Sequence, residues 1–174
     1  WSWGRTGEGY PARPSLRALD ETTLVAEHEE LGRFRLMAEA SRGGAKPEWL
    51  FTENETNTLR LFGAPNETPY VKDAFHRYLI AGERSAVNRA RTGTKAAIHH
   101  ELEIAAEQSV ELRLRLFAEG EAPTTPFGAG FDAVFDERIR EADEFYQAHR
   151  QPGQSSEQAS VLRQAYAGLL NSKQ

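Results

Sequence analysis

The 174-residue chain contains no cysteine, only one methionine, Met37, and no apolar run long enough to cross a bilayer, which takes roughly 20 residues. Without cysteine there is no disulfide, no thiolate metal site and no thiol nucleophile, and the composition says nothing about redox compartment. Positive charge is not concentrated anywhere: 26 acidic and 21 basic residues, for a formal net charge of -5, are spread along the sequence. Release of counterions from a phosphate backbone needs a clustered cationic face, so no nucleic-acid partner is expected. Nor is a membrane expected, and the opening Trp1-Ser2-Trp3-Gly4-Arg5 lacks the charged-then-apolar pattern of an export leader. Against these absences, 39% hydrophobic and 27% charged residues suit a folded globular chain, because enough apolar surface exists to offset the entropy of ordering. The first residue is not methionine, and Leu169-Leu170-Asn171-Ser172-Lys173-Gln174 stops inside an amphipathic pattern. Both ends read as cut from a longer chain.

Residues 14–40 pattern as a short strand and two longer ones, with Leu24 and Ala26, then Phe34, Leu36 and Ala38, alternating with charged neighbours and Gly32 available for the turn. Arg42-Gly43-Gly44-Ala45-Lys46-Pro47 is a loop by composition, and Glu48-Trp49-Leu50-Phe51-Thr52 is the next extended run. The sharpest alternation is Val110-Glu111-Leu112-Arg113-Leu114-Arg115-Leu116, with four apolar side chains on one face. Burying those four would stabilise the fold by roughly 6–12 kcal/mol before entropy, so this face is expected in the core. Residues 95–104 are its expected hairpin partner. A helix is predicted over 70–80, opened by Thr68-Pro69, with Val71, Ala74, Phe75, Tyr78 and Leu79 packing on the sheet.

After Phe117 the pattern changes. Pro123, Pro126, Gly128 and Gly130 mark a linker, and two amphipathic helices follow. The first carries Phe131, Val134, Phe135, Ile139, Ala142, Phe145 and Tyr146 and ends at Pro152-Gly153. The second is capped by Ser155 or Ser156 and carries Leu162, Ala165, Tyr166, Leu169 and Leu170. Two helices alone cannot cover both stripes, so exposed apolar surface is expected there.

The densest polar constellation follows the aromatic strand: Glu53, Asn54, Glu55 and Asn57, interleaved with threonines. Such groups suit gripping sugar hydroxyls or, as often in loops, stabilising a turn. Glu53 and Glu55, two apart on an extended segment, would sit about 6.6–6.8 Å apart at Cα. That lies within the roughly 5–9.5 Å used by glycosidase carboxylates, but two neighbours on one local segment point the same way and do not straddle a bond. No catalytic pair is assigned. In His99-His100-Glu101 the middle side chain points opposite to its neighbours on a strand, which makes a poor metal cluster, and no metal or other cofactor is expected. Gly93-Thr94-Lys95 lacks the first glycine of a phosphate loop and precedes a strand.

Trp1-Ser2-Trp3-Gly4, Leu50-Phe51-Thr52-Glu53-Asn54-Glu55-Thr56-Asn57, Arg60-Leu61-Phe62-Gly63, Pro69-Tyr70-Val71-Lys72-Asp73, Ala86-Val87-Asn88 and Ala90-Arg91-Thr92-Gly93-Thr94-Lys95-Ala96-Ala97 together resemble one group of bacterial proteins. These are the glucosidase-like members of glycoside hydrolase family sixty-three, related to processing glucosidases. Arg89 stands where that family carries proline, and Asn171 where it carries an aromatic residue that helps line the sugar site. The resemblance implies an α+β chain: an antiparallel β-sandwich portion with a short inserted helix (1–118), a linker (119–130), and two helices (131–174) that would begin an (α/α)6 barrel. It implies an inverting glycosidase acting on α-glucosidic oligosaccharides, with its acid and base beyond Gln174. In such a protein the loop carrying the candidate sugar-binding residues Glu53, Asn54, Glu55 and Asn57 would border the substrate entrance or the sandwich–barrel interface, with the oligosaccharide and the remainder of the barrel as partners. The competing expectation is a non-catalytic carbohydrate-binding or interaction module.

Overall fold

A computed structural model describes residues 13–39 and 47–172. The chain divides into two compact units, Trp1–Pro126 and Phe127–Gln174. It is an α+β protein in which antiparallel sheets come first and helices follow.

The first unit opens with a meander of β1 (Ser15–Ala18), β2 (Thr23–His28) and β3 (Gly32–Ala38), as the alternation predicts. Asp20 closes the first turn by accepting from the backbone N–H groups of Thr22 and Thr23, both at 2.7 Å. Gly32 enters β3 at φ 78, a left-handed conformation that disfavours a side chain. The strand β4 (Glu48–Thr52) then leaves this sheet. It pairs antiparallel with β6 (Lys95–His99), Trp49 opposite Ile98 and Phe51 opposite Ala96. The short β5 (Thr92–Gly93) pairs with β1, and β7 (Leu114–Ala118) pairs with β3, so the larger sheet has the order β5-β1-β2-β3-β7. A single 3-10 turn, Glu119–Glu121, follows within the expected linker.

Three local expectations are corrected. The hairpin between 95–104 and 110–116 does not form, because β6 and β7 belong to different sheets. The strand expected from Val110 begins only at Leu114, and Val110, Leu112, Leu114 and Leu116 remain 44%, 45%, 46% and 64% exposed. Leu116 stands opposite Leu36 on the inner face, but among the described residues β7 is an edge strand and the second sheet has two strands to cover five. The inserted helix starts late: α2 spans Ala74–Leu79, and Thr68 instead takes a hydrogen bond from the Tyr70 N–H at 3.2 Å. Residues 70–72 run beside the exit of β4, with Glu53 N–H donating to Tyr70 O at 3.2 Å and Lys72 N–H to Glu55 O at 2.9 Å. An unforeseen helical turn, α1 (Thr58–Phe62), lies between them in sequence.

Two clusters meet at β4. Trp49 and Phe51 face Leu24, Leu16, Ala18, Ala26 and Leu36 of the larger sheet, with Ala96 and Ile98 beside them. Leu50 faces the other way, into Ala74, Tyr78, Ala86 and Val87. A strand sandwiched between layers loses the polar alternation of a half-buried one, which is why Trp49, Leu50, Phe51 and Thr52 are all buried. On the outer face of the larger sheet, Arg33 bridges Glu27 and Glu119, and Arg35 binds Glu119 at 2.6 Å. The Arg35 hydrogen bond, with Arg33 adding its charge, holds the Glu119 carboxyl below its ordinary value.

The second unit is a helical hairpin of α3 (Ala129–Ala148) and α4 (Ser156–Asn171). Ser155 caps α4 in a capping box with Gln158, and Gly153 turns the connection at φ 81. One seam holds the pair: His149 meets the Tyr166 ring at 5.6 Å, and Arg163 lies 4.8 Å from the Tyr146 ring centre and pairs with Asp143. Val134, Phe135, Ile139, Phe145, Val161, Leu169 and Leu170 are exposed.

Gly93 sits where the chain crosses from one sheet to the other, directly over Thr52. A Cβ there would lie 3.0 Å from the Thr52 carbonyl carbon and closer still to its oxygen. Gly93→Ala is therefore expected to lower stability by about 1–3 kcal/mol in thermal or urea unfolding. Gly120→Ala, with open space around it, is expected to stay within about 0.5 kcal/mol.

Candidate functional site

The loop leaving β4 gathers its polar side chains because β4 ends in a buried anchor. The Thr52 hydroxyl donates to Val71 O at 2.8 Å, tying the strand end to the segment before α2. The next side chain, Glu53, accepts from the Thr94 hydroxyl at 2.7 Å, and that hydroxyl accepts from Asn54 N–H at 2.8 Å. Glu55 pairs with Arg13 at 2.7 Å. Lys72 Nζ donates to the Thr56 hydroxyl at 3.0 Å.

Asn57 is the hub of the loop. Its Oδ1 caps α1 by accepting from Arg60 N–H at 3.0 Å, and also accepts from Asn66 Nδ2 at 3.1 Å. Its Nδ2 donates to the Asp73 carboxylate at 3.1 and 3.3 Å, and Arg60 reaches the same carboxylate at 3.2 Å. Burial works against ionisation of Asp73, but these hydrogen bonds and the charges of Arg77 and Arg60 outweigh it and hold the carboxyl below its ordinary value.

Of the four residues singled out for sugar binding, Glu53, Glu55 and Asn57 thus have their side chains engaged within the protein. Asn54 is exposed and makes no side-chain hydrogen bond among the described residues. Glu53 and Glu55 are drawn to different partners, Thr94 and Arg13. His99 lies 3.7 Å from Glu48, and no group of three metal-ligating side chains occurs among the described residues.

Two cavities were not foreseen. The first, of about 520 Å³, opens between the sheets and is walled by Leu16, Leu31, Phe34, Leu36, Trp49, Ile98 and Leu116, with only Glu27 and His28 as charged or titratable groups. The second, of about 620 Å³, lies at the start of β4 and brings together Glu21, Glu48, Trp49, Tyr78, Asn88, Arg84, Arg89 and Arg91. Within it the Tyr78 hydroxyl donates to Glu48 at 2.7 Å, and burial together with this carboxylate pushes the Tyr78 hydroxyl above its ordinary value. The available signal was three arginines within eight positions of an otherwise acidic chain, Arg84 to Arg91.

The fold and loop define an α+β protein whose polar loop is braced by its own hydrogen bonds and whose apolar faces are partly open. The chain is similar to an uncharacterized protein of Saccharomyces cerevisiae, YMR196W, with 31% identity over 202 aligned positions that take in 99% of this chain. It spans 18% of that relative's length. No protein-family model matches the chain, and no solved structure matches it. Among the described residues, no helix is long and apolar enough to cross a membrane.

Asn57→Ala removes a helix cap and the side-chain hydrogen bonds to Asn66 and Asp73, and is expected to cost about 1–2 kcal/mol in chemical denaturation. Because Asp73 is depressed in the folded state, its contribution is present above the ordinary aspartate value of 3.8 and is lost as pH falls through the lower folded value. Unfolding curves between about pH 5 and pH 2 are expected to lose part of their acid dependence in Asp73→Asn.

Proposed function

We propose that this chain is a supporting, non-catalytic part of a larger glycoside hydrolase acting with inversion on α-glucosidic bonds of oligosaccharides. In this reading the sheets are a portion of a β-sandwich, and α3 and α4 are the first helices of an (α/α)6 barrel. The observation that carries the part-of-a-larger-protein reading is uncovered apolar surface in both units. The inner face of the larger sheet opens into the apolar cleft, and both helices of the hairpin keep large apolar side chains exposed. Contiguous surface of this kind marks a site of contact with more protein. The match to a relative more than five times as long agrees with it. The glycosidase assignment rests on the motifs of the β4–α2 region and the Ala90–Ala97 stretch. The loop from Glu53 to Asn57 then borders the substrate entrance, where Asn54 contacts sugar and Glu53, Glu55 and Asn57 hold the loop in shape.

The chain by itself is expected to show no turnover of α-glucosidic oligosaccharides and to bind a hydrophobic dye or self-associate. A longer polypeptide carrying the rest of the enzyme is expected to release sugar with inverted anomeric configuration, followed by NMR. In that polypeptide Asn54→Ala is expected to raise KM with little change in melting temperature. Turnover by the short chain that Glu53→Gln abolishes would overturn the supporting role. A dye-negative, stable monomer would remove the need for further protein, and an inactive longer polypeptide would remove the glycosidase reading.

A further inference from the structure

The cavity at the start of β4 is built unlike the rest of this acidic chain. Three guanidinium groups, Arg84, Arg89 and Arg91, line about 620 Å³ together with two carboxylates, Glu21 and Glu48. Glu48 is already engaged: one oxygen accepts from the Tyr78 hydroxyl at 2.7 Å, and the other lies 3.7 Å from His99 Nδ1. The Arg84 guanidinium carbon lies 4.5 Å from the centre of the Tyr78 ring, a cation–π contact that leaves N–H groups to donate. Arg89 has no hydrogen-bond or ion-pair partner among the described residues. Arg89 therefore keeps guanidinium donors that no acceptor among the described residues takes up. Trp49, only 5% exposed, borders this cavity as well as the apolar cleft between the sheets.

The loop carrying two of these arginines is held in advance of any ligand. Asn88 N–H donates to Phe51 O at 2.8 Å, its Nδ2 to Thr92 O at 2.8 Å, and its Oδ1 accepts from Ala90 N–H at 3.0 Å. Arg91 adopts a left-handed φ of 59, closed by its N–H on Asn88 O at 3.1 Å, and its guanidinium donates to Asp20 O at 2.6 Å. A non-glycine residue in that conformation persists only where its surroundings hold it there. Asn88 is thus a positioning residue, and Arg89 and Arg84 are the groups with donors to give.

The geometry points to this cavity as a binding site for a phosphate monoester. A phosphate offers acceptor oxygens in several directions, whereas the acceptors of a carboxylate lie in one plane, and guanidinium groups match phosphate edges bidentately. The volume exceeds what a bare phosphate fills and falls in the range of small-molecule sites. A phosphorylated sugar or inorganic phosphate would present the same group, and the test separates them. None of these residues belongs to the Glu53–Asn57 loop, and binding is read without turnover.

The test titrates the ¹⁵N-labelled chain with inorganic phosphate, and separately with a hexose 6-phosphate, against chloride at matched ionic strength. Saturable shifts are expected for the Arg84 and Arg89 Nε–H signals, with chloride producing none. Arg89→Gln, at an exposed position, is expected to weaken binding at least about tenfold with an unchanged melting temperature, and Arg84→Gln likewise. Arg138→Gln, on α3, is expected to leave binding as it is. Tighter binding of the hexose phosphate means that the cavity also holds the sugar body, and equal binding means that the phosphate group alone is recognised. Shifts that do not saturate, that chloride reproduces, or that survive both arginine substitutions would overturn the site.

Discussion

Burial of β4 on both faces is the constraint to which every other layer of the first unit is fitted. Leu50 packs against α2 and the Ala86-Val87 segment, while Trp49 and Phe51 pack against the larger sheet. A strand in that position cannot turn any of its central side chains to water, so its neighbours must meet its backbone groups as well as its side chains. They do so at its end: Thr94 N–H and Asn88 N–H donate to Thr52 O and Phe51 O, and Val71 O receives the Thr52 hydroxyl. Gly93 is small because this convergence brings its backbone onto Thr52.

From that anchor the two polar regions follow. At one end of β4 the chain exits into Glu53–Asn57, whose side chains are recruited by Thr94, Arg13 and Asp73. At the other end Glu48 meets Tyr78, and along the strand Asn88, bonded to Phe51, starts the arginine loop. One buried strand thus positions both a braced acidic loop and a donor-rich cavity. Asp73 illustrates the electrostatic side of this arrangement, since its depressed carboxyl value arises from Asn57 and Arg60, residues ordered by the same loop. Away from β4 the layers thin out, and among the described residues the inner face of the larger sheet runs on to a 64% exposed Leu116.

Much of the local structure was legible in the sequence. The meander of β1, β2 and β3, the strand at Glu48–Thr52, the turn at Gly32, the break at Pro152-Gly153 and the cap at Ser155 all depend on residues within a few positions of one another. The polar loop could be located, but not the use of its side chains, because Thr94 and Asp73 are 41 and 16 residues away from Glu53 and Asn57. The arginine cavity was missed for the same reason: Glu48, Tyr78 and Arg89 become neighbours only through the packing of α2 on β4. Alternation in Val110–Leu116 identified an apolar face and wrongly implied that something covers it here.

What the sequence by itself determined was periodicity: where most of the strands and the two long helices lie, and which side of each is apolar. Those properties come from backbone dihedrals and hydrogen bonds that span at most a few residues. Tertiary structure alone decided that β6 joins β4 and β7 joins β3, that Leu50 and Trp49 serve different cores, and that Arg84, Arg89 and Arg91 share a cavity. Strand pairing and side-chain convergence depend on which distant surfaces meet, and an alternating pattern fits any partner with a matching apolar face.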